Sequence, residues 1–170
     1  LKEKLFNEGL FDQERKKELP EFVRRVAIIT SIRGAALQDF LSIMQRRGWI
    51  GEISIFPCSV QGMKAPTELI NAIDSATNHG PFDLAVLTRG GGSIEDLWAF
   101  NNEALVRRVA SCKIPLISAI GHQTDFVLTD FASDFRAETP TAAAEWITSQ
   151  NTRKRDQINN LQSRLSEAPR

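Results

Sequence analysis

The strongest constraint on this chain is a repeated alternation of short apolar runs with longer segments whose apolar residues recur at helical spacing. Val26-Ala27-Ile28-Ile29-Thr30 is a continuous apolar run of the kind a strand shows when both its faces are covered. Ala36, Leu37, Phe40, Leu41 and Met44 then recur at helical spacing, which predicts a helix from about Gly34 to Arg47, stopped by Gly48. The cycle repeats with a short strand Ile53-Ser54-Ile55-Phe56, a loop from Pro57 to Pro66, and a helix from Thr67 to about Asn78. Leu84 to Thr88 reads as a third strand, Asp96 to Ser111 as mostly helical, and Pro115 to Ile120 as a fourth strand. Strands and helices in strict alternation imply parallel βαβ crossovers. The expected fold is therefore a three-layer αβα sandwich around a mostly parallel sheet of about four strands.

The ends have a different character. Residues 1–22 form a charged lead-in, with short helical potential broken at Gly9 and stopped at Pro20. Beyond Thr139-Pro140-Thr141 a helix begins at Ala142-Ala143-Ala144, with Thr139 as its cap. Positions 147, 151, 154, 158, 161 and 165 follow four–three spacing, although Asn151 and Lys154 are polar. Residues 151–170 thus read either as a terminal helix or as the first heptads of a coiled coil. The chain opens on Leu1 and closes on an unfinished amphipathic pattern, which suggests a piece of a longer protein with 23–150 as its α/β domain.

Charge excludes little, because 21 Lys and Arg balance 21 Asp and Glu, and a local basic groove is compatible with overall neutrality. Cys58 and Cys112 form no CxxC pattern and no cluster with histidine, which argues against a zinc site and fits a reducing cytoplasm. No apolar run approaches membrane-spanning length.

Two polar clusters carry the chemistry. Arg89-Gly90-Gly91-Gly92-Ser93 follows the third strand, and Gly121-His122-Gln123-Thr124-Asp125 follows the fourth. In an open parallel sheet, ligands bind at the carboxyl edge of the strands. Consecutive glycines let backbone N–H groups converge on an anion, and a helix starting at Asp96 would add its positive end. No Gly-Lys-Ser/Thr follows, so the loop is not a P-loop, and G-x-G-x-x-G is absent. The ordinary alternative for this segment is a glycine-rich turn between strand and helix, with Arg89 on the surface. His122 can move protons near neutral pH, with Asp125 to orient it or bind a metal, or it can be a structural histidine. His79, in Asn78-His79-Gly80-Pro81, reads as exposed punctuation. Asp39 sits on the first helix, where local evidence favours an exposed charge. Thr139 and Thr141 would place hydroxyls at a helix N-terminus against a phosphate, or simply cap the helix. Val60-Gln61-Gly62 has no chemistry that the residues alone assign.

Several of these segments, in order along nearly the whole chain, resemble the large subunits of bacterial exodeoxyribonuclease VII. They are residues 89–101 (RGGGSIEDLWAFN), Gly121 to Asp125, Asp130-Phe131 through Ala137, and Thr139 through Glu145, together with Val60-Gln61-Gly62, Gly34-Ala35-Ala36 and Glu8-Gly9-Leu10-Phe11-Asp12. The resemblance implies hydrolysis of single-stranded DNA from either end to oligonucleotides. It also implies a preceding OB-fold domain and a following coiled-coil region that binds copies of a small subunit. By motif position it puts the catalytic residues at Asp39, Arg89, His122 and Asp125. Arg89 with Gly90, Gly91, Gly92 and Ser93 would hold phosphate, joined by Thr139 and Thr141. No obligatory cofactor is implied: some members work without added divalent cation and others need Mg²⁺, for which Asp39 and Asp125 would be the carboxylates. Where members often have Thr-Ser-Pro-Thr-Gly-Ala-Ala, this chain has Thr30-Ser31-Ile32-Arg33-Gly34-Ala35-Ala36, and Arg33 adds a cation that would meet phosphate. Gln123 stands where members usually carry Glu, which removes one carboxylate. Two rival readings are a non-catalytic module binding nucleotide or single strand, and an unrelated α/β enzyme acting on a small phosphate ester in a closed pocket.

Overall fold

The computed structural model of the chain describes residues 1–91, 94–120 and 124–167. A short helix α1 (Lys2–Asn7) leads into β1 (Arg25–Thr30), α2 (Ala35–Arg46), β2 (Glu52–Pro57), α3 (Ala65–His79) and β3 (Leu84–Thr88). A 3₁₀ segment (Ile94–Asn101) then precedes α4 (Glu103–Ala110), β4 (Leu116–Ala119), α5 (Leu128–Ala132), β5 (Phe135–Arg136) and α6 (Pro140–Glu167). The strands lie in the order β2-β1-β3-β4-β5, and every neighbouring pair is parallel.

Alternation along the buried strands sorts the core into two layers, as period-2 geometry requires. Val26, Ile28, Leu84, Val86 and Ile117 face α2 and α6, and pack with Phe40, Met44 and Ile147. Ala27, Ile29, Ala85, Leu87 and Leu116 face the other way, against Leu69 and Ile73 of α3, Leu105 and Val109 of α4, and Phe100. This is the expected three-layer sandwich. Leu5 of α1 is fully buried in the second layer, so the lead-in packs on the body. Lys4–Glu103 (2.9 Å) and Arg107–Glu8 (2.6 Å) pin it there.

The structure adds three details to these expectations. The sheet has five strands where about four are expected. The fifth has only two residues, with no run long enough to show a period, and Asp134 N–H to Leu116 C=O (3.0 Å) and Ala137 N–H to Ser118 C=O (2.8 Å) dock its ends. The stretch Asp96 to Ser111 is mostly helical, as expected, but in two pieces: Asn102 takes an extended conformation and accepts from the Leu105 N–H (3.2 Å), capping α4 afresh after the 3₁₀ segment. α3 starts two residues earlier than expected, at Ala65, with Pro66 in its first turn.

α6 is seamed in part. Ile147 and Asn151 are buried, while Ile158, Leu161 and Leu165 are exposed beyond the body. The amide of Asn151 both accepts from Val23 N–H (2.8 Å) and donates to Val23 C=O (2.7 Å), so a polar residue occupies a buried seam position. No helix among the described residues is long and apolar enough to cross a membrane.

Candidate active site

β1 sends its crossover to β2 on one side, and the chain then returns past β1 to place β3 on the other. The order therefore reverses between β1 and β3, where loops part and leave a crevice at the carboxyl edge. A cleft of about 350 Å³ lies there. Its walls are the loop after β1 (Ser31, Arg33, Gly34, Ala35), the loop after β2 (Ser59, Val60, Gln61) and the loop after β3 (Arg89, Gly90, Gly91). Two arginines line it, and the described lining residues include no carboxylate.

Each wall has a local cause. Gly34 N–H donates to Ser31 C=O (3.2 Å), closing a tight turn that delivers the chain to α2. Gly34 is the N-cap of α2 and supplies no side-chain cap, and it lines the cleft with Ala35 at the positive end of that helix. On the second wall, Cys58 N–H bonds Thr30 C=O (3.1 Å), and the Glu68 carboxylate of α3 accepts from Ser59 N–H (2.7 Å). Those hydrogen bonds from Ser59 hold the Glu68 carboxyl below its usual range. Burial, reinforced by the Glu68 charge, pushes the neighbouring Cys58 thiol up to about 12, so it is not a thiolate nucleophile near neutral pH.

On the third wall, Thr88 is buried and its hydroxyl donates to Ala119 C=O (2.9 Å), locking the ends of β3 and β4 together. Arg89 follows with only 4% of its side chain exposed, ion-paired through Nη2 to Asp96 Oδ2 at 3.2 Å. A Cβ at Gly90 would lie 3.3 Å from the Ala36 nitrogen, so glycine lets the strand end press against the first turn of α2.

The loop after β4 carries Asp125, which is half-buried. The carboxylate of Asp130, at the start of α5, closes both ends of that loop. Its Oδ1 accepts from the Ser118 hydroxyl (2.6 Å), and Oδ2 from Val127 N–H (3.1 Å) and Arg136 Nε (3.4 Å). Burial pushes the Asp130 carboxyl up, outweighing the pull of those donors. Asn101 ties the same region to the 3₁₀ segment by accepting from Leu128 N–H (2.7 Å).

The structure thus brings Arg33, Arg89, Gly90 and Gly91 to one cleft. Gly92, Ser93 and His122 lie outside the described residues. Asp39 is exposed on the second turn of α2 and is not among the described lining residues, and Asp125 sits on the loop of a strand two places from β1. The Thr139 oxygen accepts from Ala142 N–H (3.0 Å) and caps α6, while Thr141 is half-buried in its first turn. His79 is exposed in the last turn of α3, where its Nδ1 lies 2.8 Å from Ser75 C=O. Among the described residues, no three His, Cys, Asp or Glu side chains gather as a metal site. Sequence reasoning missed Ser31, Ser59 and Gln61 as cleft walls and Asp96 as the partner of Arg89. Val60-Gln61-Gly62 was the available signal for the second wall, and the seven-residue spacing from Arg89 to Asp96 carried none.

The profile of the family described as "Exonuclease VII, large subunit" matches residues 10–170. The chain is similar to the exodeoxyribonuclease 7 large subunit of Legionella pneumophila (strain Lens), 55% identical over 148 residues covering 87% of this chain and 33% of the relative. It is similar to the subunit of the same name from Clostridium novyi (strain NT), 51% identical over 145 residues, 85% of this chain and 36% of the relative. A third similarity is to that of Pseudomonas putida, 48% identical over 165 residues, 97% of this chain and 36% of the relative. The chain therefore spans about a third of the length of these curated relatives.

Proposed function

Because the chain belongs to the family of exonuclease VII large subunits, we propose that it is the catalytic α/β part of an enzyme hydrolysing phosphodiester bonds of single-stranded DNA from either end to oligonucleotides. The observation that carries the reading is the cleft at the strand-order reversal, where Arg33, Arg89, the Gly90 and Gly91 loop and the start of α2 converge. Such a site suits a phosphodiester, whose charge rises as a water oxygen adds to phosphorus.

In this mechanism Arg89 and the glycine amides hold the non-bridging oxygens of the scissile phosphate. Arg33, exposed at the mouth, draws in the neighbouring backbone. Water attacks phosphorus, the P–O bond to the leaving sugar oxygen breaks, and one proton passes from the water to that oxygen. His122 is the group assigned to carry it, with Asp125 to orient the imidazole. Asp39, on the second turn of α2, completes the set of catalytic positions taken from the family motif. A magnesium ion would take its carboxylates from Asp39 and Asp125 and polarise a phosphoryl oxygen. No step here runs through that ion.

Residues 1–22 are assigned as the lead-in from a preceding OB-fold domain, and 151–170 as the start of a helical region. The exposed stripe Ile158, Leu161 and Leu165 is where that region would pair with further helix and recruit a small subunit. The assembly is expected in the cytoplasm.

The test uses the full-length protein with its small subunit on end-labelled single-stranded DNA, comparing wild type with His122→Ala in magnesium and in EDTA. Cleavage lost in the variant and kept by wild type in EDTA supports proton transfer by His122 without an obligatory ion. Loss of wild-type cleavage in EDTA moves Asp39 and Asp125 into the role of metal ligands. A His122→Ala variant that cuts like wild type in both buffers overturns the assignment of this site.

A further inference from the structure

A second groove of about 370 Å³ adjoins the anion cleft, within the roughly 300–1,000 Å³ range of small-ligand sites. The two share a partition. Gln61 lines the first and Gly62 the second, and the Arg89–Asp96 ion pair spans them, with Arg89 in the first and Asp96 in the second. Their chemistry is opposite. The first is cationic, whereas the second has carboxylates from Glu95 and Asp96 beside an exposed aromatic and an exposed thioether. Trp98, on the 3₁₀ segment, is 71% exposed, and Met63, in the turn before α3, is fully exposed; both line this one groove. An indole and a methionine left in water at a cleft mouth gain nothing for folding, but offer a flat, polarisable surface to a planar ring.

From this juxtaposition we propose that the groove seats one unpaired nucleobase, that of the nucleotide next to the phosphate held by Arg89. The inference rests on the nuclease reading above and adds a base subsite to it. The carboxylates repel phosphate, which keeps the backbone in the arginine cleft, and they can accept from exocyclic amino groups. Asn102 uses its side-chain oxygen to cap α4, leaving its NH₂ end outside that bond as a donor for ring nitrogens and carbonyls. Stacking on Trp98 makes the subsite tolerant of sequence, since every base has a π-face.

The experiment uses the full-length protein with its small subunit, and single strands carrying one abasic nucleotide moved stepwise along the chain. An abasic nucleotide keeps the phosphates and removes the base, so other single-strand contacts of the assembly do not blur the local readout. Wild type is expected to cut about tenfold more slowly at the one bond whose neighbouring base is missing. Trp98→Ala is expected to cut evenly wherever the abasic nucleotide lies. Trp98→Phe should keep the dip, and Met63→Ala, at a fully exposed position, should make it shallower. A wild type that cuts without any dip, or a Trp98→Ala variant with the wild-type dip, overturns the subsite while leaving the nuclease reading intact. A Trp98→Ala variant that keeps the dip but no longer co-elutes with the small subunit makes Trp98 a protein contact and also overturns it. A wild type that cuts no single strand removes the nuclease reading, and the subsite with it.

Discussion

Replacing Asp130 by alanine should cost the chain about 3 kcal/mol, and the figure can be built up from its partners. The carboxylate is almost fully buried and receives the Ser118 hydroxyl at 2.6 Å, Val127 N–H at 3.1 Å and Arg136 Nε at 3.4 Å. A buried donor left without an acceptor costs ~1–3 kcal/mol, so the rigid Val127 N–H accounts for the largest single part. The Ser118 hydroxyl can rotate and costs less. Breaking a buried ion pair costs ~3–5 kcal/mol, but Arg136 keeps other contacts, including the Phe126 ring 3.9 Å from its guanidinium, so only part of that applies. Asp130→Asn should lose only ~1–2 kcal/mol, because one oxygen still accepts and the Ser118 hydroxyl can turn to accept from the new NH₂. Urea unfolding of the three proteins, with equal slopes and shifted midpoints, measures the ladder. The pH dependence gives an independent check. Burial raises the folded carboxyl above its ordinary 3.8. From that value up to the folded pKa the native state holds more proton than the unfolded chain, so wild-type stability falls as pH rises through the window. Below the window this penalty is absent, and above it the penalty is complete and constant. Asp130→Asn lacks the slope. An alanine variant as stable as wild type, or parallel pH profiles for wild type and Asp130→Asn, would refute the view that this carboxylate holds the loop bearing Asp125.

Other outcomes follow from the cleft. Arg89→Ala should lower kcat on single-stranded DNA by ~10²–10³, the scale for removing one preorganised donor at a developing oxyanion; a variant that melts normally and cuts at the wild-type rate would remove Arg89 from the chemistry. Arg33→Ala should act on binding instead, weakening substrate affinity and reducing the slope of log K against log salt by about 0.7, the contribution of one phosphate contact on a single strand. An unchanged slope would place Arg33 off the DNA path. Cys58, its thiol pushed up to about 12, should resist alkylation by iodoacetamide in the folded protein at mildly alkaline pH, and rapid modification there would contradict its burial.

The parts of the fold legible in the sequence were those where burial on two faces leaves a continuous apolar run: Val26 to Ile29, Leu84 to Leu87 and Leu116 to Ile117 are all buried. β5 was not legible, because Phe135–Arg136 is a strand only through main-chain partners on β4 and carries no pattern of its own. The break at Asn102 could have been read, since asparagine before Glu103 and an apolar run is an N-cap signal that the helical periodicity of the region hid. Asn151 could not. Its burial depends on Val23, 128 residues away, and in sequence it looks like a polar flaw in a seam. The candidate site divides the same way. Arg89 and its glycines announced themselves by type and order, whereas Gln61 and Ser59 acquire a role only when β2 is laid beside β1 and their loop becomes a wall.

The two arginines of the cleft are held so differently that they should fail differently. Arg89 is buried, clamped by Asp96, and set on a strand end that is itself locked to β4 through Thr88. Its side-chain entropy is already lost before substrate arrives, so it can be aimed at charge that appears only in the transition state. Arg33 projects from a turn, exposed, with its freedom intact. Such a side chain adapts to a ground-state backbone and must be ordered by it, which places its effect in KM. Exchanging their surroundings tests the distinction: Asp96→Asn, which loosens the clamp on Arg89 without removing it, should reduce kcat several-fold and leave KM near wild type. If instead KM rises and kcat holds, Arg89 is a docking contact like Arg33, and the charge on the reacting phosphate is met by other groups.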